Sequence, residues 1–167
     1  MSRIDDGTLR EVGRFAIECS TFDALITQLA ADIIECTESS IAKHLTEQLT
    51  LGRKLERIKK VCTMLATAHG LLDTNSHKTL LDKIGLAETV ANHRNTVIHG
   101  EVTNKRGKAP TIQLKKQSVE LSPSALSVEI DKIDRASDVL VTAYIDFMSE
   151  IRQARDAAAK IQGPRHA

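Results

Sequence analysis

Apolar residues recur along most of this chain at alternating intervals of three and four, the repeat that keeps one face of an α-helix dry. Val12, Phe15, Cys19, Phe22, Ile26, Leu29, Ile33 and Cys36 form the first stripe and predict a helix from Thr8, read as its N-cap, to about Thr37. Leu51, Leu55, Ile58, Cys62 and Leu65 predict a second from Thr46 to about Ala68, closed by His69-Gly70. Asp73-Thr74-Asn75-Ser76 makes a turn with a good cap. A third helix follows from about Lys78 to His99, lined by Leu80, Ile84, Ala87, Ala91 and Ile98, with Gly100 where a C′ glycine would stop it. Ser122-Pro123-Ser124 opens a fourth, striped by Leu126, Ile130, Ile133, Leu140, Tyr144, Phe147 and Ile151 and expected to fray after Ala157.

Four long amphipathic helices predict an all-α, up-and-down four-helix bundle. One connection differs. Residues 101–121 lose the helical period, and Glu101-Val102-Thr103, Thr111-Ile112-Gln113-Leu114 and Val119-Glu120-Leu121 read as short strands around a turn at Lys105-Arg106-Gly107-Lys108. A small β-hairpin beside the bundle is the expectation. Residues 1–162 make a single domain, and the tail 163–167 is expected to be disordered.

Composition supports this picture. At 167 residues with 41% hydrophobic and 2% aromatic content, the core must be built from Leu, Ile, Val and Ala, which suits helix-on-helix packing. A net charge of +1 gives no whole-protein field toward nucleic acid, so any such contact rests on a local patch. Cys19, Cys36 and Cys62 fall on apolar helix faces and form no CxxC pair, as expected of reduced core thiols. The N-terminus has no apolar leader segment and no run reaches transmembrane length, so a cytoplasmic location without membrane contact is expected.

The third helix carries the unusual chemistry. Glu88, Asn92, Asn95 and His99, spaced four, three and four, form one polar ridge. Arg94 takes the next place in the apolar stripe, where a guanidinium needs a partner. Arg94 and His99 are about 140° apart around the helix, so one subunit does not aim both at one spot. Two copies about a two-fold axis can bring both into one cleft. A fixed cation, an amide and a group titrating near neutral pH are the parts needed to hold and cleave a phosphodiester without a metal. The ordinary reading beside it makes His99 a favourable charge at a helix C-terminus and Asn95 a surface amide.

Arg94-Asn95-Thr96-Val97-Ile98-His99-Gly100 resembles the RNxxxH signature of the HEPN superfamily. The wider plan is similar as well, with the motif ending the third long helix before a turn and a final long helix. The resemblance implies a metal-independent endoribonuclease of the kind found in bacterial toxin–antitoxin, abortive-infection and CRISPR systems. It implies a homodimer whose two motifs meet at the interface. Arg94 would then orient the scissile phosphate, His99 would move protons during attack by the RNA 2′-hydroxyl, and Asn95 would position Arg94, His99 or substrate. Glu88 joins the catalytic candidates from the ridge alone. With no fused regulatory domain, control would come from a separate antitoxin or regulatory protein.

Two basic stretches are candidate RNA contacts: Arg53, Arg57 and Lys60, with Lys54 and Lys59, along the second helix, and Lys105, Arg106 and Lys108, with Lys115 and Lys116, on the hairpin. The ordinary reading makes both solvated faces. No ExxH, HExxH, Walker loop or GxGxxG is present, so neither a metal nor a cofactor is expected, and His44, His69, His77 and His93 read as isolated. Two alternatives stay open beside the nuclease. One is a non-catalytic bundle that binds a partner protein, nucleotide or RNA; the other is a structural oligomer in which Arg94 is a satisfied core charge.

Overall fold

A computed structural model describes residues 4–33, 49–103 and 110–162, and over them the chain is mostly helical. Its helices are Asp6–Ile33 (α1), Leu51–Ala68 (α2), Asn75–His99 (α3) and Pro123–Gln162 (α4). Strands Glu101–Thr103 (β1), Thr111–Leu114 (β2) and Gln117–Glu120 (β3) lie between α3 and α4. Cys36, Thr37, His44, Thr46, the turn with Lys105, Arg106 and Lys108, and the tail 163–167 fall outside the described residues.

Local chemistry moves several expected helix ends. Asp5, not Thr8, caps α1: its carboxylate accepts from the Thr8 backbone N (2.9 Å) and the Thr8 hydroxyl (2.7 Å). α2 begins only after Thr50, which is extended, and it ends in a Schellman closure at Gly70, where φ is +71°. There Leu71 N donates to Ala66 O (2.7 Å) and Gly70 N to Thr67 O (3.3 Å). α3 starts at Asn75 because the Thr74 hydroxyl accepts from His77 N (3.4 Å). Ser122 caps α4 through Ala125 N (3.3 Å). α4 passes the expected fraying point and continues to Gln162, although residues 152–160 are largely exposed. The Ala157-Ala158-Ala159 run sustains helix there by propensity rather than burial.

α1 packs on α2 and α4, and α3 also packs on α2 and α4. Phe15, Phe22, Leu55, Ile58, Leu80, Ile84, Leu126, Leu140 and Phe147 are fully buried between them, and the single tyrosine, Tyr144, is 8% exposed. Burial pushes the Cys62 thiol up to about 12. No described helix is long and apolar enough to cross a membrane.

Two polar residues sit in this core against expectation. Lys54 leaves the outer basic face of α2, is 3% exposed, and donates to Asp23 Oδ1 (3.0 Å) and Thr27 Oγ1 (2.7 Å) on α1. His77 is buried rather than isolated, with Nδ1 donating to Leu72 O (3.0 Å) and its ring tilted on Phe147.

The segment between α3 and α4 is a three-stranded antiparallel sheet, order β1-β2-β3, rather than a hairpin. Val102 pairs with Ile112 and Ile112 with Val119; Ile112 and Val119 are buried where the sheet meets α3. Leu114 pairs with Gln117, so β3 starts two residues earlier than expected and Lys115-Lys116 form a two-residue turn. Lys115 holds φ at +56°, a left-handed conformation that costs a residue with a Cβ about 1 kcal/mol.

Candidate active site at the end of the third helix

The last two turns of α3 lean on the sheet, which decides where each motif residue faces. Thr96 is fully buried and Val97 nearly so, while Ile98, assigned by its spacing to the core stripe, is 42% exposed. The buried face has rotated toward the strands. Thr96 Oγ1 faces both Asn92 O (3.1 Å) and Gln117 Oε1 (2.9 Å), tying the start of β3 to the helix.

Gly100 ends α3 differently from the expected C′ glycine. Its φ of −77° and ψ of 161° are extended, so no left-handed turn requires it. Space does. A Cβ there would collide with the Ile112 side chain and the Thr96 carbonyl, and would reach 3.0 Å from Gln113 O. Glycine lets β2 close on the helix end.

Two hollows result, each of about 450 Å³, the second the more polar. Asn92, Asn95, Leu114, Lys115, Lys116 and Gln117 line the first; His99, Glu101, Thr103, Gln113, Leu114 and Lys115 line the second. The ridge thus faces the β2–β3 turn, and Leu114 and Lys115 are shared between the hollows. His99 is exposed and opens onto solvent.

Arg94 belongs to neither hollow. Its Nη1 donates to Asn95 Oδ1 (3.0 Å), and its guanidinium lies against the Cys19 thiol of α1. Burial pushes that thiol up to about 11, with the Arg94 charge and hydrogen bond acting the other way. Arg94 Nε is buried with no hydrogen-bond partner, which is costly for a cation. Within one subunit the motif residues are therefore split: Asn95 links to Arg94, whereas His99 faces the sheet.

Other candidates separate further. Glu88 is half-buried and lies about 16 Å along the helix axis from His99, too far to share one phosphate with it. Arg53, Arg57 and Lys60 are exposed on α2, and the last two border an apolar cavity of about 370 Å³ beside Ala30, Ile58 and Val61, away from His99. Lys115 and Lys116, only background members of the hairpin patch in the sequence, stand at the hollows themselves.

His93 is not isolated either. Its Nδ1 lies 2.9 Å from Glu129 Oε2 on α4, and Lys132 Nζ is 2.6 Å from Glu129 Oε1. Burial alone would raise the Glu129 carboxyl, yet hydrogen bonds from Lys132 and His93, with their charges, hold it below its ordinary value. Spacing within α3 carries no signal of this pairing, since Glu129 comes from another helix. Comparison with known protein families, with characterised proteins and with solved structures finds no match for this chain.

Proposed function

We propose that this chain is a metal-independent endoribonuclease of HEPN type, acting as a homodimer in the cytoplasm in the manner of a bacterial toxin or phage-defence effector. The four helices are read as one up-and-down bundle that carries the motif. The observation that carries the proposal is the Arg94-Asn95-x3-His99 signature at the end of α3, with His99 exposed in a polar hollow and Arg94 Nε left without a partner. A guanidinium in that state gains from an anion.

The chemistry needs no redox partner. An imidazole takes the proton from an RNA 2′-hydroxyl as its oxygen attacks phosphorus; the bond to the 5′ oxygen breaks and that oxygen is protonated. The products are a cyclic phosphate end and a 5′-hydroxyl end. A second copy supplies the other half of the site, consistent with Ile98, one turn beyond Arg94 on the same helix face and next to His99 in the chain, being 42% exposed.

The test compares wild type and His99→Ala on total RNA with a chelator present. Wild-type cleavage reduced about 100-fold or more in the variant is expected. Absence of cleavage by the wild type, or equal cleavage by both, overturns the nuclease. One observation favours the non-catalytic alternative: Arg94 is already engaged by Asn95 and Cys19 inside its own subunit. That reading expects Arg94→Ala to lower the melting temperature of a protein that binds a partner protein, nucleotide or RNA but cleaves nothing.

A further inference from the structure

We infer that the β2–β3 turn is a cationic saddle over which a single-stranded RNA is draped, with Lys115 and Lys116 contacting consecutive phosphates beside His99. The inference rests on the nuclease reading and adds to it the form of the substrate and the groups that hold it.

Four observations converge. Lys115 walls both hollows, so a strand passing from the Asn95 hollow to the His99 hollow must cross this turn. Each hollow is of small-ligand size, about 450 Å³ and open to solvent, so successive units of a flexible unpaired strand can settle into the two in turn. The turn is also held still: Leu114 pairs with Gln117, Gln117 is tied to Thr96, and β2 closes on Gly100. Finally, Lys115 keeps a left-handed backbone that glycine or asparagine adopts more easily. A lysine placed at an unfavourable φ points to something the side chain does.

The chemistry of the walls says which part of RNA is gripped. All three phenylalanines are fully buried on the helices and Tyr144 nearly so, so apart from His99 itself no aromatic face is offered at the hollows for base stacking. Asn95 uses its carbonyl oxygen on Arg94, leaving its amide N–H groups to donate. Ammonium groups and amide donors are suited to phosphate oxygens, and the Glu101 carboxylate on the His99 hollow keeps those oxygens to the Lys115–Lys116 side, so the grip is on the backbone, tolerant of sequence and sensitive to salt.

A labelled 2′-O-methyl oligouridylate, which lacks the attacking hydroxyl, allows the intact wild-type protein to be used. Its affinity is measured by fluorescence anisotropy across a salt series for wild type, Lys115→Asn, Lys116→Ala and the double variant. The double variant is expected to bind about tenfold more weakly at low salt, with the slope of log affinity against log salt reduced by about 1.4, the share of two phosphates on a single strand. Because Asn suits the left-handed position, the melting temperature of Lys115→Asn stays level or rises, which separates lost charge from lost folding. Unchanged affinity and slope in the double variant, no binding by the wild type, or equal Lys-dependent binding of a blunt duplex each overturn the inference. Lys-dependent binding of the oligonucleotide by a protein that cleaves no RNA sinks the nuclease while the saddle stands; cleavage with Lys-independent binding does the reverse.

Discussion

Burying part of a guanidinium beside a thiol is an expensive arrangement, and Arg94 does it with one nitrogen unpartnered. That single side chain links α1 to the motif, so Arg94→Lys, which keeps the charge but loses the planar fork, is expected to fail to restore what Arg94→Ala removes. The Glu129 carboxylate gives a cleaner residue-scale test. Its folded pKa lies below the ordinary 4.5, so its contribution to stability is fully present above that value and is lost as pH falls through the lower folded one. Glu129→Gln is therefore expected to be less stable than wild type at neutral pH, with the two converging in acid; chemical denaturation across that range checks it. Lys54 offers a third. Asp23→Ala is expected to cost about 1–3 kcal/mol by leaving a buried ammonium with Thr27 alone, and adding Lys54→Met to recover much of that loss.

At the level of elements, the join between α3 and the sheet does most to shape the site. Gly100→Ala is expected to destabilise by about 2–3 kcal/mol, because two of the three groups its Cβ meets are backbone carbonyls that cannot step aside. Thr96→Val releases Gln117 and is expected to cost about 1 kcal/mol while loosening the turn at Lys115; hydrogen exchange along β3 reads this directly. This join also marks the border of what the sequence reveals. The stripes of Phe15 to Ile33 and Leu126 to Ile151 name buried faces correctly, because long helices average over local detail. Gly100 was legible as a stop but not as a space-filling necessity, and Ile98 was misplaced in the core, because both depend on a strand arriving from further along the chain. Lys54 was misread for the same reason: its partners Asp23 and Thr27 belong to α1, and periodicity says nothing about pairing across helices.

For the whole molecule, the nuclease proposal makes oligomeric state the decisive property, because Arg94 and His99 of one chain face different surroundings. Ile98→Asp places a charge on the exposed apolar end of the α3 stripe. It is expected to shift the protein to monomer and to abolish RNA cleavage while leaving the melting transition of the helices nearly unchanged. Sedimentation and activity measured on the same samples check both halves. The helix spacing predicts that a single copy does not aim both groups at one point, and the divergence of Arg94 toward Cys19 from His99 at its hollow is legible from residue numbers alone.

Tyr144 has a practical consequence. With no tryptophan in the chain, this one phenol, nearly enclosed among the helices, dominates the intrinsic emission. Once the ultraviolet absorbed by an added oligonucleotide is corrected for, its light reports the packing of the interior. A ligand that leaves the signal flat has docked on a preformed surface; one that alters it has made the helices rearrange.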